Sequence, residues 1–358
     1  MNRSLLALHR WLGLPAGMFL LFIGLSGSLL VYSNSLERWL NPTLYTIEPQ
    51  GNRLSLDSVY NIVYRKYSAD FKSCSMDVPA SAREVYEFTF TKPRENYYTR
   101  NLYIVDVHPY TGEILREGFC DDISTSFIHW LMYFHNSFHL GKIGMLIVTL
   151  VSMTIFLSMI TGLLIYGKNI FNVLMFRIPL KWKSGQHLYR SIHLYIGVWS
   201  LLMNIVIFFT GFWMMKATLN PNTWKLEVQQ QTFRTPVSLD SCLVKCTEIL
   251  PGFIPDFVSI PLIKNDPIEI DGNMANSSQL MRGDASYVIL DAQNGNVIEA
   301  VDITKTKFPK NLTAAFWQLH IGNYGGDIIK ILYVIGGLMP GVLFLSGFVL
   351  WWKRSVDT

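Results

Sequence analysis

The sequence predicts an integral membrane, α-helical protein: four transmembrane helices in two pseudo-repeats, with two small α+β domains outside the bilayer. Three observations predict this. The 358-residue chain is 50% hydrophobic and only 16% charged, a composition that leans to membrane proteins. Four stretches are apolar, nearly uncharged and long enough to cross about 30 Å of hydrocarbon, which takes about 20 residues. Histidines and glycines also recur at one spacing. His9 and His193 are 184 residues apart, and His135 and His320 are 185 apart. Gly27 and Gly211 follow the first two histidines by 18 residues, and Gly162 and Gly347 follow the other two by 27. An internal repeat of this length reads as two copies of one unit.

Residues 1–32 hold the first span, with its apolar run at 11–32. That run exceeds the about 7–15 residues of a signal-peptide core, and no small-x-small cleavage site follows, so it reads as an uncleaved anchor. Residues 33–142 form the first outer domain. Within it 54–68 is an amphipathic helix, 84–90 and 98–108 alternate like strands, and Pro109–Gly112 turns the chain into 113–117 as a hairpin. The aromatic-rich stretch 122–144 ends in a glycine break and reads as a short interfacial helix. The second span is 143–166 and the loop 167–193 follows. The third span, 194–215, carries a stripe of Gly197, Ser200 and Gly211, like Gly13, Ala16, Gly24 and Gly27 in the first. Asn204 lies on that stripe, where a polar group needs a partner inside the bundle. Residues 216–327 form the second outer domain, with a strand–turn–strand over 286–301 about Asn294–Gly295 and a second interfacial helix at 313–326. The fourth span is 328–351, and 352–358 is a tail.

The cations orient these spans. Arg3 and Arg10 stand at the first span, and Lys168, Arg177, Lys181, Lys183 and Arg190 fill a loop without Asp or Glu. Lys353 and Arg354 follow the fourth span. Excess Lys and Arg marks the cytoplasmic side, so both termini and 167–193 are expected in the cytoplasm and the two large segments outside. The net charge of +4 says nothing of nucleic acid, because the cations cluster beside the spans. All four cysteines fall in the outer segments, which suits an oxidising compartment. Cys242 with Cys246 and Cys74 with Cys120 are the candidate bridges, against four free thiols. There is no GxGxxG after a strand and no P-loop, and the loop is too short for a nucleotide or flavin domain.

The histidines sort by side: His9 and His193 at the cytoplasmic ends, His135 and His320 at the outer ends. Ionisable groups in a membrane point to function. Two facing imidazoles can supply both axial ligands of one haem iron. Gly13 and Gly197, four residues after His9 and His193, leave the helix face bare for a planar ring. Arg10 and Arg190 can pair with haem propionates. Two haems, one near each face, would pass single electrons across the membrane. Metal binding without haem is the competing reading, since His135 and His139 form an HxxxH pair. His129 and His187 have no repeat partner and read as bystanders. His108 falls where the other copy has Asp291 and reads as turn chemistry.

LHRWLGLPAG at 8–17, FHNSFHLGKIG at 134–144, IHLYIGVW at 192–199 and LHIGNYGG at 319–326 resemble the signature segments of the PepSY-associated transmembrane family. The hairpins VDVHPYTGEIL at 105–115 and VILDAQNGNVIEA at 288–300 resemble PepSY repeats. The resemblance covers nearly the whole chain. Family members in iron uptake are inner-membrane reductases of ferric siderophores with two bound haems. The resemblance therefore implies two bis-histidine haems of the b type, with His9, His193, His135 and His320 as iron ligands. It also implies electron delivery to a ferric siderophore on the periplasmic side of a bacterial inner membrane. His139 stands where the family pattern is apolar and is the alternative ligand to His135; His108 stands where Asp or Asn is usual. With no flavin or nicotinamide domain, the expected donor is a membrane quinol or a separate cytoplasmic reductase. Two other functions compete. One is a siderophore or solute permease, for which a homodimer would supply enough spans. The other is a PepSY-type binding or signalling module with structural histidines.

Overall fold

The computed structural model describes residues 3–98, 101–180, 185–228, 230–283 and 285–356. The chain begins with α1 (Arg3–Leu30), α2 (Ser33–Leu40) and α3 (Leu56–Tyr67). Strands β1 (Ser73–Asp77), β2 (Tyr86–Thr91), β3 (Leu102–Val107) and β4 (Ile114–Phe119) follow. Next come α4 (Phe127–Ser137), α5 (Gly141–Tyr166), α6 (Ile170–Leu174), α7 (Gly185–Trp199), α8 (Leu201–Met215) and α9 (Leu239–Ile249). The last part holds β5 (Phe253–Pro261), β6 (Ile268–Met274), β7 (Ser286–Leu290) and β8 (Val297–Val301), then α10 (Lys310–Ala314), α11 (Phe316–Ile321) and α12 (Gly326–Val356). The chain divides into two compact units. One comprises 1–32, 134–223 and 319–358, the other 33–133 and 224–318.

The first unit is a helical bundle. Four helical segments are apolar and long enough to cross a membrane: Arg3–Leu30, Gly141–Leu174, Leu201–Leu219 and Gly326–Lys353. Helices α1 and α12 run antiparallel at backbone contact, where a Cβ on Gly24 would collide with the Gly337 carbonyl and one on Gly17 would strike Phe344. Small residues permit that approach. Ala16, Leu20, Val151, Ile155 and Phe208 form the buried apolar cluster of α1, α5 and α8. Two expectations shift. Helix α1 starts at Arg3 and α7 at Gly185, so His9 and His193 lie inside helices rather than at their ends. The third span has a local turn at Ser200, whose hydroxyl donates to the Ile196 carbonyl at 2.6 Å, while the i→i−4 backbone bonds run through. Lys181 and Lys183 lie outside the described residues.

The second unit is one sheet of eight antiparallel strands, in the order β4-β3-β2-β1-β5-β6-β7-β8. The sequence suggests two separate domains; instead, β1 pairs with β5 from Ser73↔Pro261 to Asp77↔Phe257 and joins both halves. One core serves them. Met76, Phe88, Phe90, Val258, Ile260, Ile270 and Val288 from the sheet pack with Val59 and Val63 of α3 and Leu239 of α9. The two helices cap each other. The backbone N–H groups of Leu56 and Asp57 donate to the Asp240 carboxylate at 3.0 and 2.9 Å, and that of Leu239 donates to Asp57 at 2.7 Å. A carboxylate at a helix N-terminus satisfies donors that have no intrahelical partner. All four cysteines are buried and free, so neither candidate bridge forms. Cys242 and Cys246 stand on successive turns of α9 with parallel rather than converging Cβ directions.

The hairpin turns explain His108. Its Nδ1 accepts the N–H groups of Tyr110 and Thr111, both at 3.2 Å. Asp291 does the same in the other hairpin for Gln293 and Asn294, at 2.7 and 3.2 Å. A neutral imidazole thus replaces a carboxylate as turn acceptor.

Candidate functional site

The bundle brings the four repeated histidines together in two pairs. The ring centres of His9 and His193 are 6.2 Å apart, and those of His135 and His320 are 6.4 Å apart. Two imidazoles on opposite sides of one iron, each bonded at about 2.0 Å with its ring centre roughly 1.1 Å behind the nitrogen, have centres roughly 6.2 Å apart. Both pairs match that separation.

Each ring sits in a socket built to one plan. Nδ1 of His9 bonds to the Ser158 carbonyl at 3.0 Å, that of His135 to the Ile23 carbonyl at 3.0 Å, and that of His320 to the Ile207 carbonyl at 3.1 Å. His193 has the Leu343 carbonyl as its backbone partner. A hydroxyl joins each: Thr161 at 3.0 Å, Ser26 at 3.1 Å, Thr210 at 3.2 Å and Ser346 at 3.0 Å. A glycine follows each hydroxyl residue in the chain, and its face meets the ring. A Cβ would lie 2.8 Å from His135 at Gly27, 2.9 Å from His320 at Gly211, 3.2 Å from His9 at Gly162 and 3.3 Å from His193 at Gly347. A carbonyl acceptor at Nδ1 fixes the proton there and leaves the Nε2 lone pair for a metal. The repeated glycines are therefore seats for imidazoles on neighbouring helices. The hydroxyls went unread in the sequence, although Ser26–Gly27, Thr161–Gly162, Thr210–Gly211 and Ser346–Gly347 form a dipeptide that recurs with the glycines.

A cavity of about 360 Å³ surrounds the His9–His193 pair. Gly13 and Gly197 line it, as do Arg10, Arg190 and Gln186. Gly197 has ordinary room, with the nearest atom to an added Cβ at 3.6 Å, whereas Gly13 faces Ser158 Oγ at 3.2 Å. Arg10 Nε is buried without a partner. Residues 1–32 and 134–223 contain no Asp or Glu at all, and among the described residues no carboxylate lines this cavity. The site fits a flat anionic macrocycle held by two ring nitrogens: paired imidazoles at the right separation, open room beside Gly197 and an Arg10 Nε without a partner.

The other histidines separate from this arrangement. His135, not His139, stands opposite His320; His139 follows α4 with a positive φ of 58° and has its ring 6.1 Å from that of Phe134. Among the described residues no three His, Cys, Asp or Glu side chains gather as a metal site, which leaves the HxxxH pair without the further ligands a zinc site needs. His129 bonds to Ser126 Oγ at 3.0 Å in the second unit, and His187 is exposed. The stretches 122–144 and 313–326 do form short helices, α4, α10 and α11, broken from the spans by Gly141, Gly322 and Gly326 at positive φ. That break lets His135 and His320 fold back on to Gly27 and Gly211.

Comparison with protein-family models matches the PepSY-associated TM region over residues 6–354, nearly the whole chain. No curated protein matches the sequence.

Proposed function

The chain belongs to the PepSY-associated transmembrane family, and from that premise we propose that it carries single electrons across a bacterial inner membrane through two b-type haems and reduces a ferric siderophore in the periplasm. The observation that carries this reading is the pair of facing imidazoles at 6.2 and 6.4 Å, each tied back through Nδ1. Haem bound in these sockets would supply a one-electron store near each face. His9 with His193 and His135 with His320 are the residues that would hold the iron of each group. The socket carbonyls and hydroxyls keep the rings in one tautomer and one orientation. Arg10 and Arg190, which line the inner cavity, would bind the carboxylates of the inner group. The chain orients with these arginines and both termini in the cytoplasm, by the excess of Lys and Arg at that end, and with the eight-stranded sheet outside. Oxygen-donor siderophores hold hard Fe(III) far better than Fe(II), so one electron loosens the metal.

A visible spectrum of the purified protein before and after dithionite tests the reading. A Soret band with sharp low-spin α and β bands on reduction is expected, followed by reoxidation on mixing with a ferric siderophore. His135→Ala is expected to halve the haem content and His139→Ala to leave it unchanged. A colourless protein from haem-replete cells would sink the proposal and favour a permease or a binding module.

A further inference from the structure

We propose that the deep end of the inner cavity, at Asn204, is a binding subsite for a membrane quinol. This rests on the electron-transfer reading above and names the donor's place in it. The cavity runs past the histidine pair to Gly17, Leu20, Asn204, Phe208 and Phe344. Leu20 is 11 residues beyond His9 on α1, about 16 Å along the axis at 1.5 Å per residue. A group held between the imidazoles would occupy the near end of that depth.

The hydrogen bonds fix what the far half presents. Ser200 Oγ donates to the Ile196 carbonyl at 2.6 Å, so it accepts from Asn204 Nδ2 at 2.9 Å. The remaining amide atom, Oδ1, is an acceptor, and it is buried without a partner. An unmet buried acceptor costs about 1–3 kcal/mol. The fold does not need this group. The position 184 residues earlier is Leu20, which lines the same cavity and is as buried, each residue being 4% exposed. Ser200 likewise matches Ala16. One half of the bundle thus carries a polar pair where the other carries Ala and Leu.

The occupant must bring an O–H or N–H donor and no charge, since among the described residues no charged side chain lines this end of the cavity and charge is costly at this depth. Gly17, Leu20, Phe208 and Phe344 line the site around Asn204, so the occupant's body is apolar. Phe208 and Phe344 suit a flat ring. A quinol meets all of these: a planar ring, hydroxyl donors and an isoprenoid tail. Oxidised to quinone, it yields two electrons and two protons, enough for two one-electron reductions of a ferric chelate.

The test compares wild type with Asn204→Leu, which copies Leu20. Quinone is extracted from detergent-purified protein and quantified, and duroquinol is mixed anaerobically with the oxidised protein while the haem α band is followed. The variant is expected to lose bound quinone and to be reduced by duroquinol on the order of tenfold more slowly, one hydrogen bond's worth. Its haem spectrum and dithionite reduction should match wild type. Asn204→Ala gives the same reading if the leucine variant does not accumulate. Unchanged quinone content and duroquinol rate in the variant overturn the inference. So does a wild-type protein with intact haem that holds no quinone and reacts no faster than the variant, the result expected if only a water molecule meets Oδ1. A preparation without haem sinks the proposed function instead, and its quinone content still decides this inference.

Discussion

At the scale of single residues the four histidine sockets are alike in plan and unequal in tightness. An added Cβ would come within 2.8 and 2.9 Å of the rings of His135 and His320, but only within 3.2 and 3.3 Å of those of His9 and His193. A methyl at the shorter distance must move the ring, and a ring held by a carbonyl on one side and a metal on the other cannot follow without losing one of them. On the proposed di-haem reading, Gly27→Ala and Gly211→Ala should therefore strip or distort the haem at the His135–His320 pair, while Gly162→Ala and Gly347→Ala should largely retain the one at the His9–His193 pair. Haem content per chain and the low-spin signals in electron paramagnetic resonance check this. Equal losses at all four positions would show that the glycines serve helix packing in general rather than the rings.

At the scale of elements, β1, β2, β3 and β4 set a row of ionisable groups side by side: Asp77, Glu87, Asp106 and Arg116 share one register across the sheet. Arg116 pairs with Asp106, with Glu37 of α2 at 2.6 Å and with Glu87 at 3.4 Å. Burial, then the neighbouring Asp106 charge, holds the Glu87 carboxyl well above the usual carboxylate range. Burial also raises Asp106, against the pull of Arg116. Asp77, which keeps part of its surface in solvent, is pushed up to about 6 by burial and by Asp256. Carboxyls raised on folding favour the folded state at acid pH, and that contribution is lost as pH rises through their folded values. The melting temperature of the sheet unit should therefore fall between pH 5 and pH 8. Glu87→Gln should flatten this slope and stabilise at pH 8 by on the order of 1 kcal/mol, about 2–4 °C; a steeper slope in the variant would mean that the Arg116 pair dominates. None of this row is legible in the sequence. The four apolar helices are, because hydrocarbon demands long uncharged runs, and so are the 105–115 and 288–300 hairpins, because their turns carry local chemistry. The β1–β5 seam is not, since pairing between Ser73–Asp77 and Phe253–Pro261 spans about half of the chain and leaves no local mark. The histidines and glycines of the candidate site are visible as a spacing. The hydroxyls before the glycines look like ordinary small residues until the rings are seen against them.

At the scale of the whole molecule, the two histidine pairs stand at opposite ends of the bundle. His9 and the glycine that seats His135 are 18 residues apart on α1, about 27 Å along the axis. The arginine-lined cavity lies at the His9–His193 end. If the pairs are successive stations, neither suffices, because the remaining gap is most of a bilayer thickness. Liposomes holding the protein, with dithionite trapped inside and a ferric siderophore outside, separate the stations. Wild type inserted with its arginines inward should reduce the outer chelate. His193→Ala should keep an outer haem that dithionite added outside still reduces, yet lose transfer from within by at least on the order of tenfold, the 1.4 kcal/mol scale of one well-made contact. Should the variant transfer as fast as wild type, the inner pair is no station, and the arginines and glycines around it must serve a ligand other than a redox group.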